Sequence, residues 1–311
     1  MGGPPAIILG TMNFGQRTND ADSEAIIRRA LERGITAFDT ANIYCEGASE
    51  RILGRALGAD RKNVTIATKV GAWKREGLSA ARVKASIHES LQRLGTSYVD
   101  VYYLHVPDRK TPIAGTLGGM TEVITSGAAR GWGVSNYASW QILEMLQLAS
   151  SMGLARPVMA QQLYNMVHRE LDIEYFAFRK AYPIHLTVYN ALAGGLLTGR
   201  HLQTEEGRGP EKGSRLDTNN LYRRRYANDA MFDRAADVVA LAQHFNLSPV
   251  QLAYAFLASR PEIDSVLVGP ATIEQLDAAI DGINTTLHAE CLEAIETLHR
   301  TWMGTDTHYA R

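Results

Sequence analysis

Four ionisable residues stand where short apolar runs end. Asp39 and Tyr44 follow Ile35-Thr36-Ala37-Phe38, Lys69 follows Val64-Thr65-Ile66-Ala67, and His105 follows the run from Tyr98 to Leu104. A phenol titrates near pH 10, at about 10 in its unperturbed state, too high for an efficient acid or base at neutral pH. A lysine ammonium beside it favours the phenolate and lowers that value. A buried lysine needs a counter-charge, and Asp39 can supply one. A neutral histidine can donate a hydrogen bond to a carbonyl oxygen. Together the set describes proton transfer to a carbonyl oxygen. The sequence offers no nucleophile–base pair of the Ser–His type and no metal-ligand spacing. A proton on the oxygen calls for a hydride on the carbon, and a protein has none, so a nicotinamide cofactor is implied.

These four residues can meet only if their strands converge. Ala6 to Gly10 reads as a first short strand. Asp20, Asp22 and Ser23 offer caps for a helix through Arg33, closed by Gly34. The strand before Asp39 follows, and then a helix from Ser49 to Leu57 closed by Gly58. Ser79 caps a helix whose stripe is Val83, Ile87, Leu91 and Leu94. Strand-like runs recur around Ala129–Ser135, Val158–Gln161 and Ile184–Tyr189, with helices between them. Throughout-apolar strands alternating with helices indicate a parallel sheet covered on both faces. Six strand–helix units are counted before residue 190. A seventh strand is read at Ser265–Val268, after the helix Pro249–Ala258, and an eighth is placed loosely at Ala279–Ile283. Eight units give a (β/α)8 barrel, whose reactive groups sit at the carboxyl ends of the strands. An open doubly wound sheet is the competitor, but no Gly-rich dinucleotide turn follows the first long strand.

One stretch breaks the rhythm. Residues Gly199 to Asn228 are rich in Arg, Glu, Gly and Asn, and they follow what is counted as the sixth strand. A loop of that length is commonly functional, so it is read as a lid over the mouth. The helix Ala289–Trp302 is expected to pack outside the barrel.

Composition sets the remaining bounds. The 311 residues are 45% hydrophobic and 21% charged, an ordinary globular mixture, and are read as one domain, 1–311. The net charge of −1 gives no reason to expect a nucleic-acid partner. Cys45 and Cys291 are too few for a disulfide framework. No apolar run reaches the roughly 18 residues of a membrane helix, and no secretory signal opens the chain, so a cytoplasmic location is expected.

The order and spacing of Asp39, Tyr44, Lys69 and His105 resemble the catalytic tetrad of the aldo-keto reductases. The likeness covers nearly the whole chain and is strongest to the aflatoxin-aldehyde reductase branch. It is carried by Leu9-Gly10-Thr11-Met12, Tyr44-Cys45-Glu46-Gly47, Tyr103-Leu104-His105 with Pro107-Asp108, Ser135-Asn136-Tyr137-Ala138 and Leu192 to Gly199. Tyr222 to Tyr226 and the terminal Tyr309-Ala310-Arg311 add to it.

The resemblance implies NADPH-dependent reduction of a small aldehyde or ketone. Tyr44 would be the general acid, Lys69 its modulator, Asp39 the partner of Lys69, and His105 the group that orients the carbonyl. Ser135, Asn136 and Gln161 would hold the nicotinamide carboxamide, and Tyr189 would stack on the ring. Leu192, Gly194 and Leu196 would line the pyrophosphate, with Arg200 and Arg215 near the phosphates. Gly269, Thr272 and Gln275 would form the adenosine-phosphate loop after the seventh strand. Met12, Tyr44, His105, Arg225 and Arg311 would meet the substrate, the two arginines favouring one that carries a carboxylate. Ordinary alternatives stand beside these: Tyr189 as strand packing, Gln161 as a partner for backbone, and the lid arginines as solvated charges. Many relatives have Arg where this chain has Gln275 and Asn where it has Ala279, which bears on the preference for NADPH. The resemblance also leaves room for a homodimer, and for a channel-regulating subunit that binds NADPH with little turnover.

Overall fold

The computed structural model describes residues 4–72, 76–204 and 207–305. Eight parallel strands close into a barrel in sequence order. They are β1 (Ala6–Gly10), β2 (Ala37–Asp39), β3 (Thr65–Val70), β4 (Val99–Leu104), β5 (Ala129–Ser135), β6 (Met159–Leu163), β7 (His185–Tyr189) and β8 (Ser265–Val268). The (β/α)8 expectation therefore holds, with a change in the count. Ala6–Gly10 is itself a barrel strand, pairing with β2 on one side and β8 on the other. Seven strands thus precede residue 190, and Ser265–Val268 is the eighth. The segment placed as a weak eighth strand lies in the helix Ile273–Ile283. Its buried residues Leu276, Ala279, Ile280 and Ile283 follow a helical period, and Thr272 caps it through the Gln275 N–H.

Local chemistry sets the other boundaries. Asn19, not the acids after it, caps the helix Asp20–Glu32: its Oδ1 accepts from Asp22 N at 2.9 Å. Gly95, at φ 63°, ends the helix Ala80–Leu94 in a left-handed turn. At Gly133 in β5 the barrel walls come close. A Cβ there would lie 2.5 Å from the Met159 carbonyl and 2.7 Å from the Tyr103 ring.

The long segment read as a lid follows the seventh strand, not the sixth, and it holds regular structure. It carries helices Arg215–Thr218 and Asn220–Tyr226, capped by Ser214 and Asn219. The sequence shows few apolar residues here, yet Leu216, Tyr222 and Tyr226 are buried. Tyr222 packs on Gly194, whose φ of 72° and missing side chain make room for the ring. The helix Ala289–Met303 buries Cys291 and Ile295, and Trp302 Nε1 donates to Asp237 at 2.8 Å. No helix among the described residues is long and apolar enough to cross a membrane.

Candidate active site

Asp39 is the last residue of β2, Lys69 lies near the end of β3, and His105 follows β4. Parallel strands put all three at one rim. Tyr44 opens a short turn, Tyr44–Gly47, in which Cys45 (φ 49°) and Glu46 (φ 53°) are left-handed. Non-glycine residues hold that conformation at a cost, so the turn is fixed by its surroundings. The four predicted residues do come together. Lys69 and Asp39 are fully buried and paired, and Lys69 Nζ also donates to the Thr40 carbonyl at 2.8 Å. Lys69 Nζ stands 5.1 Å from the centre of the Tyr44 ring. The Tyr44 and His105 rings meet edge to face at 5.8 Å.

Burial dominates the electrostatics of this rim. It lowers the Lys69 pKa, against the opposing pull of Asp39, Glu50 and Tyr189. Burial and then the Lys69 charge push His105 down to about 3, so its ring is neutral at physiological pH. His105 Nδ1 is buried with no hydrogen-bond partner among the described residues. The Tyr44 hydroxyl departs from the sequence expectation. Its pKa is pushed up, first by burial and then by Asp39, with Tyr222 adding and Arg215 opposing. Desolvation outweighs the lowering that a nearby lysine was expected to give. The phenol therefore holds its proton firmly.

The predicted nicotinamide residues form a connected set. Tyr189 donates its hydroxyl proton to Asn136 Oδ1 at 2.6 Å. Asn136 Nδ2 donates to the His105 carbonyl and to Ser135 Oγ, both at 3.0 Å. Gln161 Nε2 donates to Asp39 Oδ2 at 2.9 Å, which ties this amide to the ion pair. Beyond β7, Asn190 Oδ1 accepts from Gly194 N at 2.8 Å, and Gly194 and Gly195 are both left-handed. Leu192 is partly buried, whereas Leu196 is fully buried in the core, which leaves only its backbone for a ligand. Arg200 pairs with Glu211 at 3.5 Å. Arg215 donates to Asn13 Oδ1 and, at 3.1 Å, to Met12 Sδ.

The loop read as holding the adenosine phosphate follows β8. Gly269 offers its carbonyl to Asn13 Nδ2 at 3.1 Å. Thr272 is a helix cap, and Gln275 Oε1 accepts from Ala271 N at 2.8 Å. Arg225 stands beside Tyr189, whose pKa is raised to about 12 by burial against the pull of Arg225. Arg311 lies outside the described residues.

Two contributors escaped the sequence reading. Glu50 is fully buried, accepts from Thr68 Oγ1 and Arg93 Nε, and gives Lys69 a second negative charge to face. It was legible in principle, because Glu50, Leu53 and Leu57 share one helical stripe. Asn13 carried no such signal, since its role comes from contacts to residues 202 and 256 positions away.

Residues 6–300 match the family model described as Aldo/keto reductase family. The chain is 35% identical to rat (Rattus norvegicus) aflatoxin B1 aldehyde reductase member 2, over 88% of this chain and 78% of the rat protein. It is also 35% identical to the human (Homo sapiens) protein of the same name, over 88% and 81% respectively. A probable voltage-gated potassium channel subunit beta from rice (Oryza sativa subsp. japonica) is 31% identical, over 85% of this chain and 83% of that one. With a closed eight-stranded barrel and a family match from residue 6 to residue 300, this chain belongs to the aldo/keto reductase family, whose members generally reduce carbonyl groups with a nicotinamide dinucleotide.

Proposed function

We propose that the chain, residues 1–311 acting as one catalytic domain, reduces a small aldehyde or ketone to its alcohol with NADPH, and that Tyr44 is the general acid. The observation that carries this reading is the buried Lys69–Asp39 pair set under the Tyr44 ring, with a neutral His105 edge-on beside it. The surrounding residues suit a nicotinamide dinucleotide. Asn136 and Ser135 present amide and hydroxyl groups at the rim, and Arg215 has no carboxylate partner among the described residues. When bound, the dinucleotide supplies the hydride.

The protein's part is to hold the carbonyl and to move one proton. His105, being neutral, donates a hydrogen bond to the carbonyl oxygen and fixes its position. Tyr44 gives its hydroxyl proton to that oxygen as negative charge develops there, and Lys69 stabilises the phenolate left behind. Asp39 keeps Lys69 charged in a buried site, held on its far oxygen by Gln161. Tyr189 is held through Asn136 where it can stack on the nicotinamide. Arg200 and Arg215 favour NADPH because a phosphate group calls for fixed cations. Arg225, with Arg311, would favour a carboxylate-bearing aldehyde.

The test is a fluorescence titration with NADPH and NADH, followed by NADPH oxidation with succinic semialdehyde, 4-nitrobenzaldehyde, a diketone and a sugar aldehyde. Tight NADPH binding with turnover supports the reading. A second reading, an NADPH-binding regulatory subunit of a channel, is favoured by the similarity to the rice protein. Tight binding with no turnover on any carbonyl would favour it. Failure to bind either dinucleotide would overturn both.

A further inference from the structure

The loop after β8 has no cation of its own. Residues 269–275 are Gly, Pro, Ala, Thr, Ile, Glu and Gln. Gln275 is turned onto its own loop, accepting from Ala271 N. Positive charge reaches this region from two other segments, the first βα turn and the lid. Asn13 Nδ2 donates to the Gly269 and Pro270 carbonyls at 3.1 and 3.0 Å, and Thr18 Oγ1 donates to the Ala271 carbonyl at 3.2 Å. These bonds pin the turn 14–18, closed by Gly15 N to the Thr18 carbonyl at 2.9 Å, against the β8 loop. Arg17 is exposed in that turn and has no carboxylate partner among the described residues. Asn13 also holds Arg215, so one side chain ties the turn, the β8 loop and the lid together. Arg200 lies across Gly195, in a space that a Cβ would occupy.

Arg17 is within electrostatic reach of both Arg215 and Arg200, and after burial their charges lower its pKa. Among the described residues only Arg200 of the three has a carboxylate, Glu211, and that pair is part-exposed at 3.5 Å. Gathering like charges is unfavourable unless an anion sits among them.

We infer that Arg17 is a phosphate-binding residue, completing with Arg200 and Arg215 an anion cradle built from the first βα turn and the lid, where the β8 loop lacks a cation. This rests on the dinucleotide reading above. The ligand chemistry is a phosphate oxygen, either of the 2′-phosphate or of the pyrophosphate.

The test uses the full chain and needs no turnover. Dissociation constants for NADPH and NADH are measured by fluorescence for wild type, Arg17→Gln and Arg17→Lys at several salt concentrations. Arg17→Gln should weaken NADPH binding about tenfold, the order of one charge-assisted contact, and flatten its salt dependence. Arg17→Lys should recover part of the loss. The Arg17 side chain makes no hydrogen bond among the described residues, and its one structural bond, backbone N to the Asn13 carbonyl, survives substitution, so thermal unfolding should not move. Loss confined to NADPH assigns the 2′-phosphate, and equal loss for NADH assigns the pyrophosphate. Wild-type affinity and salt dependence in Arg17→Gln would overturn the inference. Wild type binding neither dinucleotide would overturn the function proposed above.

Discussion

The barrel has an ionic cluster at each rim, and the two are wired differently. At the amino-terminal rim, Asp100 Oδ2 accepts from Arg61 Nη2 at 3.0 Å and from Ile66 N at 2.9 Å, and Oδ1 accepts from Arg130 Nη1 at 3.0 Å. Arg61 also donates to the Val64 and Tyr98 carbonyls. Arg61 and Arg130 both stack on the Tyr98 ring, each 4.1 Å from its centre. Both Asp100 oxygens are engaged, and the aromatic face is covered as well. At the carboxyl-terminal rim, Lys69 and Asp39 are more deeply buried, and the groups around them are left short of partners. His105 Nδ1 has no hydrogen-bond partner among the described residues, and burial raises the pKa of the Tyr44 phenol. A saturated network stabilises the fold. An unsaturated one leaves free energy to be recovered when a ligand supplies the missing partners.

That contrast predicts separable phenotypes. The largest effect should follow Lys69→Met, which strands a buried carboxylate. We expect a stability loss of about 3–5 kcal/mol by denaturant unfolding, and turnover reduced by about three orders of magnitude. Adding Asp39→Asn should restore much of the stability and none of the turnover. Recovery of both would merge the two roles. At the opposite rim, Asp100→Ala should cost about 3 kcal/mol while leaving kcat unchanged in the folded enzyme. A fall in kcat there would show that the rims are coupled.

His105 sharpens the comparison through pH. Its folded pKa of about 3 lies below the ordinary histidine value of 6.5. Between these values the unfolded chain binds more protons, so its contribution to stability is present above pH 6.5 and is lost as pH falls towards 3. His105→Asn should flatten that part of the stability–pH curve, and an unchanged curve would contradict the neutral ring. Arg225→Gln should have the smallest effect. KM for succinic semialdehyde should rise about tenfold, and KM for an uncharged aldehyde should not change.

The sequence carried most of this architecture, because throughout-apolar strands and capped helices are local signals. The count slipped at Ala6–Gly10, a strand that becomes a barrel member only through pairing with β8 across the whole chain. It slipped again at Ala279–Ile283, where a short apolar run fits strand and helix alike and the Thr272 cap decides. The tetrad was legible because its members sit at strand ends of fixed order. The upward shift of Tyr44 was not, since burial sets it first and two of the charges that adjust it, Tyr222 and Arg215, lie far along the chain. Buried Tyr222 and Tyr226 likewise read as loop residues until the lid folds onto Gly194.

The central claim is that the Tyr44 hydroxyl delivers the proton. The direct test is Tyr44→Phe, with NADPH affinity measured by fluorescence titration and carbonyl turnover by NADPH oxidation on the same preparation. NADPH should bind as in wild type while kcat/KM falls by about three orders of magnitude, the size expected for loss of a general acid. A Tyr44→Phe protein that binds NADPH normally and still turns over at the wild-type rate would contradict it.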